Sequence, residues 1–437
     1  MSDSQRSIEF MHPAGKAYRF TILIFVSLLT FGSYFAYDII GAVAPSLVED
    51  LGGGRETVGT MYTMYSIAAI LSVLIGGILI DRLGTRLASM IFSILVFIGA
   101  GVVAFGQSIP LLFFGRFIFG AGSEPLIVAQ MAMVSRWFKG KELALAFGVT
   151  LTVSRIGTLF SFNTGELIAH RFGGYRYALI AALLFCAVSL AANIVYVLMD
   201  RRGERLLRLK EQESGDKIVF GDIKKFRSNF WFVTFLCVTF YSAIFPFTAL
   251  STDFFVDKWG VSRVAETTGG FLRQVLNNFL HMTGTAGGIS SIIIFASMVC
   301  APFAGHLVDK IGKRASLMII GSLILIPSHL TMGLTQLYPV YPMIALGVAF
   351  VLIPAAMWPS IPLIVRKEAV GTAFGLMTMI QNIGLALFPF LNGKLRDLTH
   401  TYTASMIMFA SLGFFGLIFA FLLKRADRNS GNILERP

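Results

Sequence analysis

The stretch that decides the fold occurs twice in this chain, as GILIDRLGTRL at 77–87 and as GHLVDKIGKRA at 305–315. The copies share two glycines, a leucine, an aspartate and two basic residues at the same offsets, 228 positions apart. Each copy follows a long apolar run and introduces charge, as a loop between two membrane helices does. The repetition at half-chain spacing therefore predicts a duplicated membrane protein whose halves share one architecture.

Composition also places the chain in a bilayer. Hydrophobic residues make up 55% of the 437 residues and charged residues 14%, with a mean hydropathy of +0.74. Such a chain is too apolar for a soluble domain of this length. Stretches of about 20 apolar residues, enough to cross ~30 Å of hydrocarbon, give six spans in each half. They lie near 20–47, 58–80, 88–106, 110–135, 143–167 and 174–199, and near 229–254, 286–308, 315–335, 340–365, 370–392 and 402–423.

The predicted fold is an all-α polytopic membrane protein with about twelve transmembrane helices in two pseudo-symmetric six-helix bundles. The first bundle occupies 1–199, a charged cytoplasmic linker 200–228, and the second bundle 229–437, with a short cytoplasmic tail. An extended outward loop near 261–288 carries apolar residues at helical spacing. It is either an amphipathic helix at the membrane interface or an N-terminal extension of the eighth span.

The net charge of +12 is explained by topology. With both termini and the even-numbered loops on one side, 26 of the 36 Lys and Arg lie there, 8 lie opposite, and Arg116 and Arg155 lie within spans. This bias predicts cytoplasmic termini in a multi-pass protein of a cell (inner) membrane and requires no nucleic-acid partner. The three cysteines fall within predicted spans, which argues against a disulfide framework or a metal site.

Charged residues at membrane depth are the candidate functional groups, since each costs at least ~2.5 kcal/mol at the centre of a spanning helix. They are Asp38, Arg116, Glu124, Arg155 and Asp253. A cavity with Glu124 and Arg155 suits a small zwitterion, because Arg grips a carboxylate in a bidentate fork and Glu accepts an ammonium. The alternative is a structural ion pair between the two. Arg116 is either a group for proton coupling or a residue that holds the first bundle together.

Other candidates line the pocket or form a gate. Polar and aromatic residues expected to face the cavity are Tyr34, Tyr37, Asp38, Tyr241, Phe245, Trp358 and Gln381, although aromatic residues at helical spacing also arise from packing alone. The repeated phrases predict a latch on the cytoplasmic side, with glycines for close helix contact and aspartates that accept hydrogen bonds from the other bundle. The residues assigned to it are Gly77, Asp81, Arg82, Arg86, Asp309, Lys310 and Arg314.

The wording of the repeated phrase resembles the loop between the second and third helices of the major facilitator superfamily. Further phrases resemble its lysosomal branch of dipeptide uniporters, the major facilitator domain-containing family, and would make the chain a bacterial homologue of that branch. They are LTFGSY at 29–34, GAGSE at 120–124, WFKGKEL at 137–143, SRIG at 154–157, MWPSIP at 357–362 and GTAFG at 371–375. The resemblance covers about 20–392 and implies that Glu124 and Arg155 hold the charged ends of a dipeptide.

The predicted function is secondary active or facilitative transport of dipeptides or small peptides by alternating access around a midplane site. Glu124 is the candidate for proton coupling. Import of single amino acids and transport of a siderophore, drug or organic anion are alternatives. A membrane receptor or a lipid scramblase is the alternative outside transport. The sequence contains no nucleotide-binding loop and no nucleophile constellation. We therefore expect no enzyme activity, cofactor or metal, and a zwitterionic substrate and membrane lipid as the partners.

Overall fold

The computed structural model describes residues 12–13, 15–138, 142–207, 226–265, 269–366 and 369–436. Within these ranges eleven helices are long and apolar enough to cross a membrane. The first half contains α1 (Lys16–Ala42), α2 (Ala44–Leu51), α3 (Gly54–Phe105), α4 (Ile109–Phe138), α5 (Leu143–Phe172) and α6 (Tyr175–Leu207). The second half contains α7 (Ser228–Thr248), α8 (Ser251–Trp259), α9 (Phe271–Leu280), α10 (Ala286–Ile311), α11 (Arg314–Leu334), α12 (Val340–Met357), a 3-10 turn (Trp358–Ser360), α13 (Ile361–Ile364), α14 (Val370–Thr399) and α15 (Thr403–Asn429).

Helix α3 contains two spans. Its 52 residues would reach about 78 Å at 1.5 Å per residue, more than twice the thickness of a hydrocarbon core. Gly84 interrupts it with φ 76° and ψ 162°, a conformation that glycine adopts without steric cost. Gly84 belongs to the first repeated phrase, and the arms 54–83 and 85–105 are each long enough to cross. Counting the arms separately confirms the predicted twelve-span, all-α architecture.

The first span of each half breaks near its end. Helix α1 stops at Ala42 and continues as the short helix α2, and α7 stops at Thr248 and continues as α8. The predicted spans 20–47 and 229–254 therefore each contain two helices. Helices α2 and α8 pack against each other on the side opposite the termini. Helix α6 runs to Leu207, beyond the predicted end of the first bundle. Most of the predicted linker, 208–225, lies outside the described residues.

Helix α9 is separate from α10, so the alternative of an N-terminal extension is wrong. Its polar residues Gln274 and Asn278 are buried, whereas Leu272 and Leu276 are 83% and 56% exposed. The Asn278 side chain donates to Asn163 O of α5 at 3.0 Å and accepts from Ala265 N at 2.8 Å. Helix α9 therefore turns its polar face to the protein and its apolar face outward, the orientation suited to lipid surroundings.

The halves approach closely on the side opposite the termini. They meet along α3 with α14 and along α5 with α10. A Cβ at Gly59 would overlap Pro389 O, and one at Gly287 would overlap Phe162 O. Glycine permits such contact between helix backbones where hydrophobic burial does not drive association. This end of the molecule is therefore closed.

Candidate substrate site and gates

Glu124 lies in the middle of α4 and faces α3. Its Oε1 accepts a hydrogen bond of 2.8 Å from the Tyr65 hydroxyl. The Tyr65 ring stands edge-on to Tyr37 of α1, with ring centroids 4.7 Å apart. One hydroxyl leaves most of the acceptor capacity of the carboxylate unused. Glu124 can therefore accept further hydrogen bonds or a positive charge.

Arg155 lies in α5 and reaches the second half. Its guanidinium lies over the Phe350 ring of α12, 4.7 Å from the centroid. No ion pair joins Arg155 to Glu124 among the described residues, since Glu124 is held by Tyr65 and Arg155 by Phe350. The structure therefore does not form the structural pair that was the alternative for these residues. A ring face attracts a guanidinium but leaves its N–H groups unsatisfied.

Tyr34 and Asp38 of α1 lie between these charges. Tyr34 interacts electrostatically with Arg155, Glu124 and Asp38, and Asp38 with Arg155 and Arg116. Asp38 is 6% exposed. The first half thus brings two acids and one partly exposed arginine within electrostatic range of a single tyrosine.

The second half contributes aromatic groups. The Trp358 indole N–H donates to the Tyr241 hydroxyl at 3.0 Å, and the Tyr241 ring stacks on Phe245 with centroids 5.7 Å apart. Tyr241 also interacts electrostatically with Arg155 and Tyr34 across the halves. Gln381 accepts from the Cys237 thiol at 3.3 Å. Tyr34 and Tyr241 therefore link the two halves around Arg155. Tyr37 also interacts electrostatically with Asp38 and Glu124, and its ring packs against Arg116, Tyr62 and Tyr65.

Arg116 is enclosed by its own bundle. It is 1% exposed and donates to Ala36 O at 3.2 Å and to Met61 O at 3.5 Å. Its guanidinium lies 5.1 to 5.5 Å from four ring centroids, those of Tyr37, Tyr62, Tyr65 and Phe119. A cation surrounded by rings and backbone carbonyls joins α1, α3 and α4, which favours the structural role over proton coupling.

A polar lock holds the closed end. Arg55 at the start of α3 donates from Nε and Nη2 to the two Asp253 oxygens at 2.8 and 3.3 Å. Asp397 of α14 accepts from the backbone N–H groups of Arg55 and Glu56 at 3.2 and 2.8 Å. Tyr402 donates to Asp253 at 2.5 Å. A carboxylate at a helix N-terminus and a bidentate ion pair are both strong contacts, and both join the first half to the second.

The repeated phrases lie at the opposite end of the molecule, where they are exposed. A Cβ at Gly77 or at Gly305 would meet no atom within 4 Å, and Asp81 and Asp309 are exposed. The close helix contact expected at these glycines is not made in this conformation, so it stays a prediction for another state of the protein. Arg82 and Lys310 are exposed as well.

The two phrase arginines bind within their own halves. Arg86 pairs with Asp200 at 3.4 Å and with Glu204, both on α6. Arg314 donates to Arg436 O at 3.1 Å. These described contacts anchor the phrases to the ends of their own bundles.

Several residues of the site and lock were not predicted from the sequence. Tyr65 and Phe350, the partners of Glu124 and Arg155, carry no local signal beyond aromatic residues on spanning helices. Arg55 and Asp397 lie 342 positions apart in the chain. The run Gly52-Gly53-Gly54 before Arg55 marks a helix start, but it does not indicate the partner.

The geometry defines a two-bundle membrane carrier with a charged central site, and comparison gives its class. The model of the Major Facilitator Superfamily matches residues 26–272 and 261–437. The chain belongs to that superfamily and is a transporter of its fold.

Particular relatives are also found. The chain is 32% identical over 448 residues to the lysosomal dipeptide transporter MFSD1 of Homo sapiens, with 97% of this chain and 90% of that protein aligned. It is 22% identical over 426 residues to the hexuronate transporter of Bacillus subtilis (strain 168), covering 95% and 97%. A crystal structure of a mutant of the nucleoside transporter NupG superposes with TM-score 0.68 at 14% identity, covering 92% of this chain and 98% of NupG. At that identity the superposition shows the fold alone.

Proposed function

We propose that this protein transports dipeptides or small peptides by alternating access. The observation that supports the proposal is that Glu124 and Arg155 both interact electrostatically with Tyr34, while among the described residues their own contacts are with Tyr65 and Phe350 and not with each other. A dipeptide zwitterion supplies the two missing partners, with its ammonium at Glu124 and its carboxylate at Arg155. The dipeptide transport named for the 32% identical human relative supports the same substrate class.

The halves would divide the recognition of the substrate. In the first half, Asp38, Glu124 and Arg155 supply charge. In the second half, α7 and α12 contain no Asp, Glu, Lys or Arg, and they present Tyr241, Phe245 and Phe350. Charged groups would fix the ends common to all dipeptides, and the aromatic wall would contact their variable side chains.

The conformation indicates one step of the cycle. The lock at Arg55 and Asp397 closes one end, and the repeated phrases stand apart at the other. With both termini in the cytoplasm of a cell membrane, as the positive-inside bias predicts, this state faces inward. Asp81 and Asp309 would then latch the cytoplasmic side after the halves rock to the outward-facing state.

Labelling of a cysteine introduced at Arg436, next to the last residue, in intact cells tests the orientation. A cytoplasmic terminus would not react with a maleimide that cannot cross the membrane.

Thermal unfolding of the purified protein with panels of ligands tests the substrate class. A ligand that binds only the folded state raises the melting temperature. Free dipeptides should stabilise the protein, and dipeptides with an amidated carboxyl end or an acetylated amino end should do so much less. Stabilisation by single amino acids but not by dipeptides would contradict a peptide substrate.

Organic-anion transport is the second candidate. Arg155, which forms no ion pair among the described residues, suits a sugar acid, and the hexuronate transporter of Bacillus subtilis aligns over nearly the whole chain. A sugar acid has no ammonium, so it would leave Glu124 unpaired in the same site. Glucuronate in the ligand panel separates the candidates. Stabilisation by glucuronate alone would replace the peptide proposal.

A further inference from the structure

A groove of about 600 Å³ runs along the outer surface of the first bundle between α5 and α6, and α9 of the second half covers one side of it. Its wall includes Phe160, Ile168, Ala181, Leu184, Leu272 and Val275. Leu184 is 62% exposed and Leu272 83%, so the groove opens away from the substrate site toward the surroundings of the bundle. In a membrane protein these surroundings are lipid.

The groove is built for an apolar ligand. Its volume falls in the range of about 300 to 1,000 Å³ typical of small-molecule sites. Thr164 and Tyr177 are the lining residues with hydroxyl groups. The Thr164 hydroxyl already donates to Phe160 O at 2.7 Å, and Tyr177 is 47% exposed. A hydrocarbon chain would therefore fill the groove without leaving the Thr164 hydroxyl unsatisfied.

Cations without partners stand at one end of the groove. Eight Lys and Arg lie on the side opposite the termini, and five of them are engaged. Arg55, Arg263 and Arg396 pair with carboxylates. Lys258 donates to the carbonyls that end α11, and Lys394 lies over Phe390. Within the described ranges the other three, Arg171, Arg176 and Arg273, make no hydrogen bond or ion pair, and all three are exposed.

These three arginines lie next to one ring cluster in the chain. The rings of Phe172, Tyr177 and Phe271 meet at the groove end, with centroid distances from Phe172 of 6.0 and 5.9 Å. Arg171 and Arg176 directly precede two of these rings in the chain, and Arg273 follows the third by two residues. Asp50 is the carboxylate nearest the turn at Gly174, and no ion pair is described between it and the arginines. The free positive charge of this side is therefore concentrated at the mouth of an apolar groove.

We propose that this groove binds one anionic phospholipid, with an acyl chain between α5 and α6 and the phosphate at Arg171, Arg176 and Arg273. Clustered Lys and Arg beside a membrane attract anionic headgroups, and guanidinium groups bind phosphate oxygens with paired N–H donors. Because α5 and α6 belong to the first half and α9 to the second, the lipid bridges the halves beside the closed end. It stabilises the state in which α9 packs on α5. The site is independent of the substrate proposed above.

Native mass spectrometry of the full-length protein tests this site, with dioleoyl-phosphatidylglycerol and dioleoyl-phosphatidylcholine as probes. The wild type should retain one phosphatidylglycerol in preference to phosphatidylcholine. Combining Arg171→Gln, Arg176→Gln and Arg273→Gln should weaken the first phosphatidylglycerol by at least about tenfold. Arg273→Gln alone should weaken it less, and Lys394→Gln, which removes one exposed charge on the same side away from the groove, is the matched control for Arg273→Gln and should leave retention unchanged. Equal retention of both lipids by the wild type, or no loss in the triple variant, would overturn the proposal.

A groove-filling variant gives a second readout. Ala181→Phe should reduce retention of both lipids and keep the headgroup preference, with folding checked by thermal unfolding. Soluble glycerophosphoglycerol should not displace the lipid, because it lacks the acyl chain. Displacement of the lipid by this headgroup would show a phosphate site. A polypeptide that copurifies in place of lipid would show a protein interface. Either result would reject the lipid site.

Discussion

Two single residues make the proposed substrate contacts, and Arg155 tests the carboxylate end. Arg155→Lys keeps the charge but loses the planar fork of donors. Loss of one charge-assisted hydrogen bond, ~1.5 to 3 kcal/mol, should weaken dipeptide binding about 10- to 100-fold. Isothermal titration measures the change.

The control for the Arg155→Lys experiment is a change in the ligand in place of a change in the protein. A dipeptide amidated at its carboxyl end should bind the wild type about as weakly as the free acid binds Arg155→Lys. Phe350→Leu keeps an apolar neighbour but removes the ring face below the guanidinium, so it should cost less than Arg155→Lys. Equal binding of amidated and free-acid peptides by the wild type would remove Arg155 from the carboxylate site.

Glu124 tests the amino end and proton coupling together. Glu124→Gln preserves shape and hydrogen bonding but removes both the charge and the proton. We expect free-amine peptides to lose more affinity than N-acetylated ones. If Glu124 also carries the proton, gradient-driven accumulation should vanish while counterflow persists. Tyr65→Phe, which removes the hydroxyl but keeps the charge, is the control. A variant fully active in both assays would return Glu124 to a structural role.

The single residues also show what sequence can predict. Asp38, Glu124 and Arg155 were found because a charge within an apolar run is conspicuous and costly. Their partners Tyr65 and Phe350 were not, because an aromatic residue on a spanning helix looks the same whether it packs, lines a cavity or holds a guanidinium. Only the packing of α3 on α4 and of α12 across from α5 separates these roles.

Among the helices, the contact of α3 with α8 and α14 should control the conformational equilibrium. Combining Arg55→Gln with Asp253→Asn removes a bidentate pair between the halves, in which Asp253 is 6% exposed. The contacts at the closed end should weaken by ~1 to 3 kcal/mol, and the population should move toward the state in which that end is open.

A reporter cysteine, Gly148→Cys in a Cys300→Ser background, measures this change. Gly148 lies on the Arg155 stripe of α5, two turns nearer the open end, with open space around it.

We expect slower alkylation of the Gly148→Cys reporter when the lock is broken. Arg263→Gln is the matched control, because it also breaks a bridge between the halves. Arg263 and Glu49 are 32% and 59% exposed, and exposed pairs contribute only about 0 to 1 kcal/mol. Faster alkylation, or an equal effect of both changes, would contradict a lock at Arg55.

Changes in the repeated phrases should shift the conformational equilibrium in the opposite direction from changes in the Arg55 lock. Asp81→Asn and Asp309→Asn should destabilise only the state in which the end that carries the phrases is shut, so transport should slow while ligand-induced thermal stabilisation remains. Alkylation of the Gly148→Cys reporter should become faster or stay fast. Loss of ligand binding with unchanged alkylation would show that these aspartates serve the site and form no latch.

For the whole molecule, the duplication could be predicted because the 77–87 and 305–315 phrases mark equivalent points of the two halves. The conformational state could not. The phrases indicated a latch at one end, whereas the structure closes the other end through Arg55, Asp253 and Asp397. The sequence patterns are the same whichever conformation the protein adopts, so they cannot distinguish the two states. The contacts between α3 and α14, hundreds of residues apart, distinguish them.

Counterflow in proteoliposomes tests the central proposal most directly. Vesicles loaded with unlabelled alanyl-alanine and containing the wild type should accumulate labelled alanyl-alanine. Free dipeptides should compete for this uptake. Amidated peptides and glucuronate should not, and Arg155→Lys should reduce uptake at least about tenfold. Uptake of labelled glucuronate without uptake of the dipeptide, or dipeptide uptake unaffected by Arg155→Lys, would contradict a zwitterion site formed by Glu124 and Arg155.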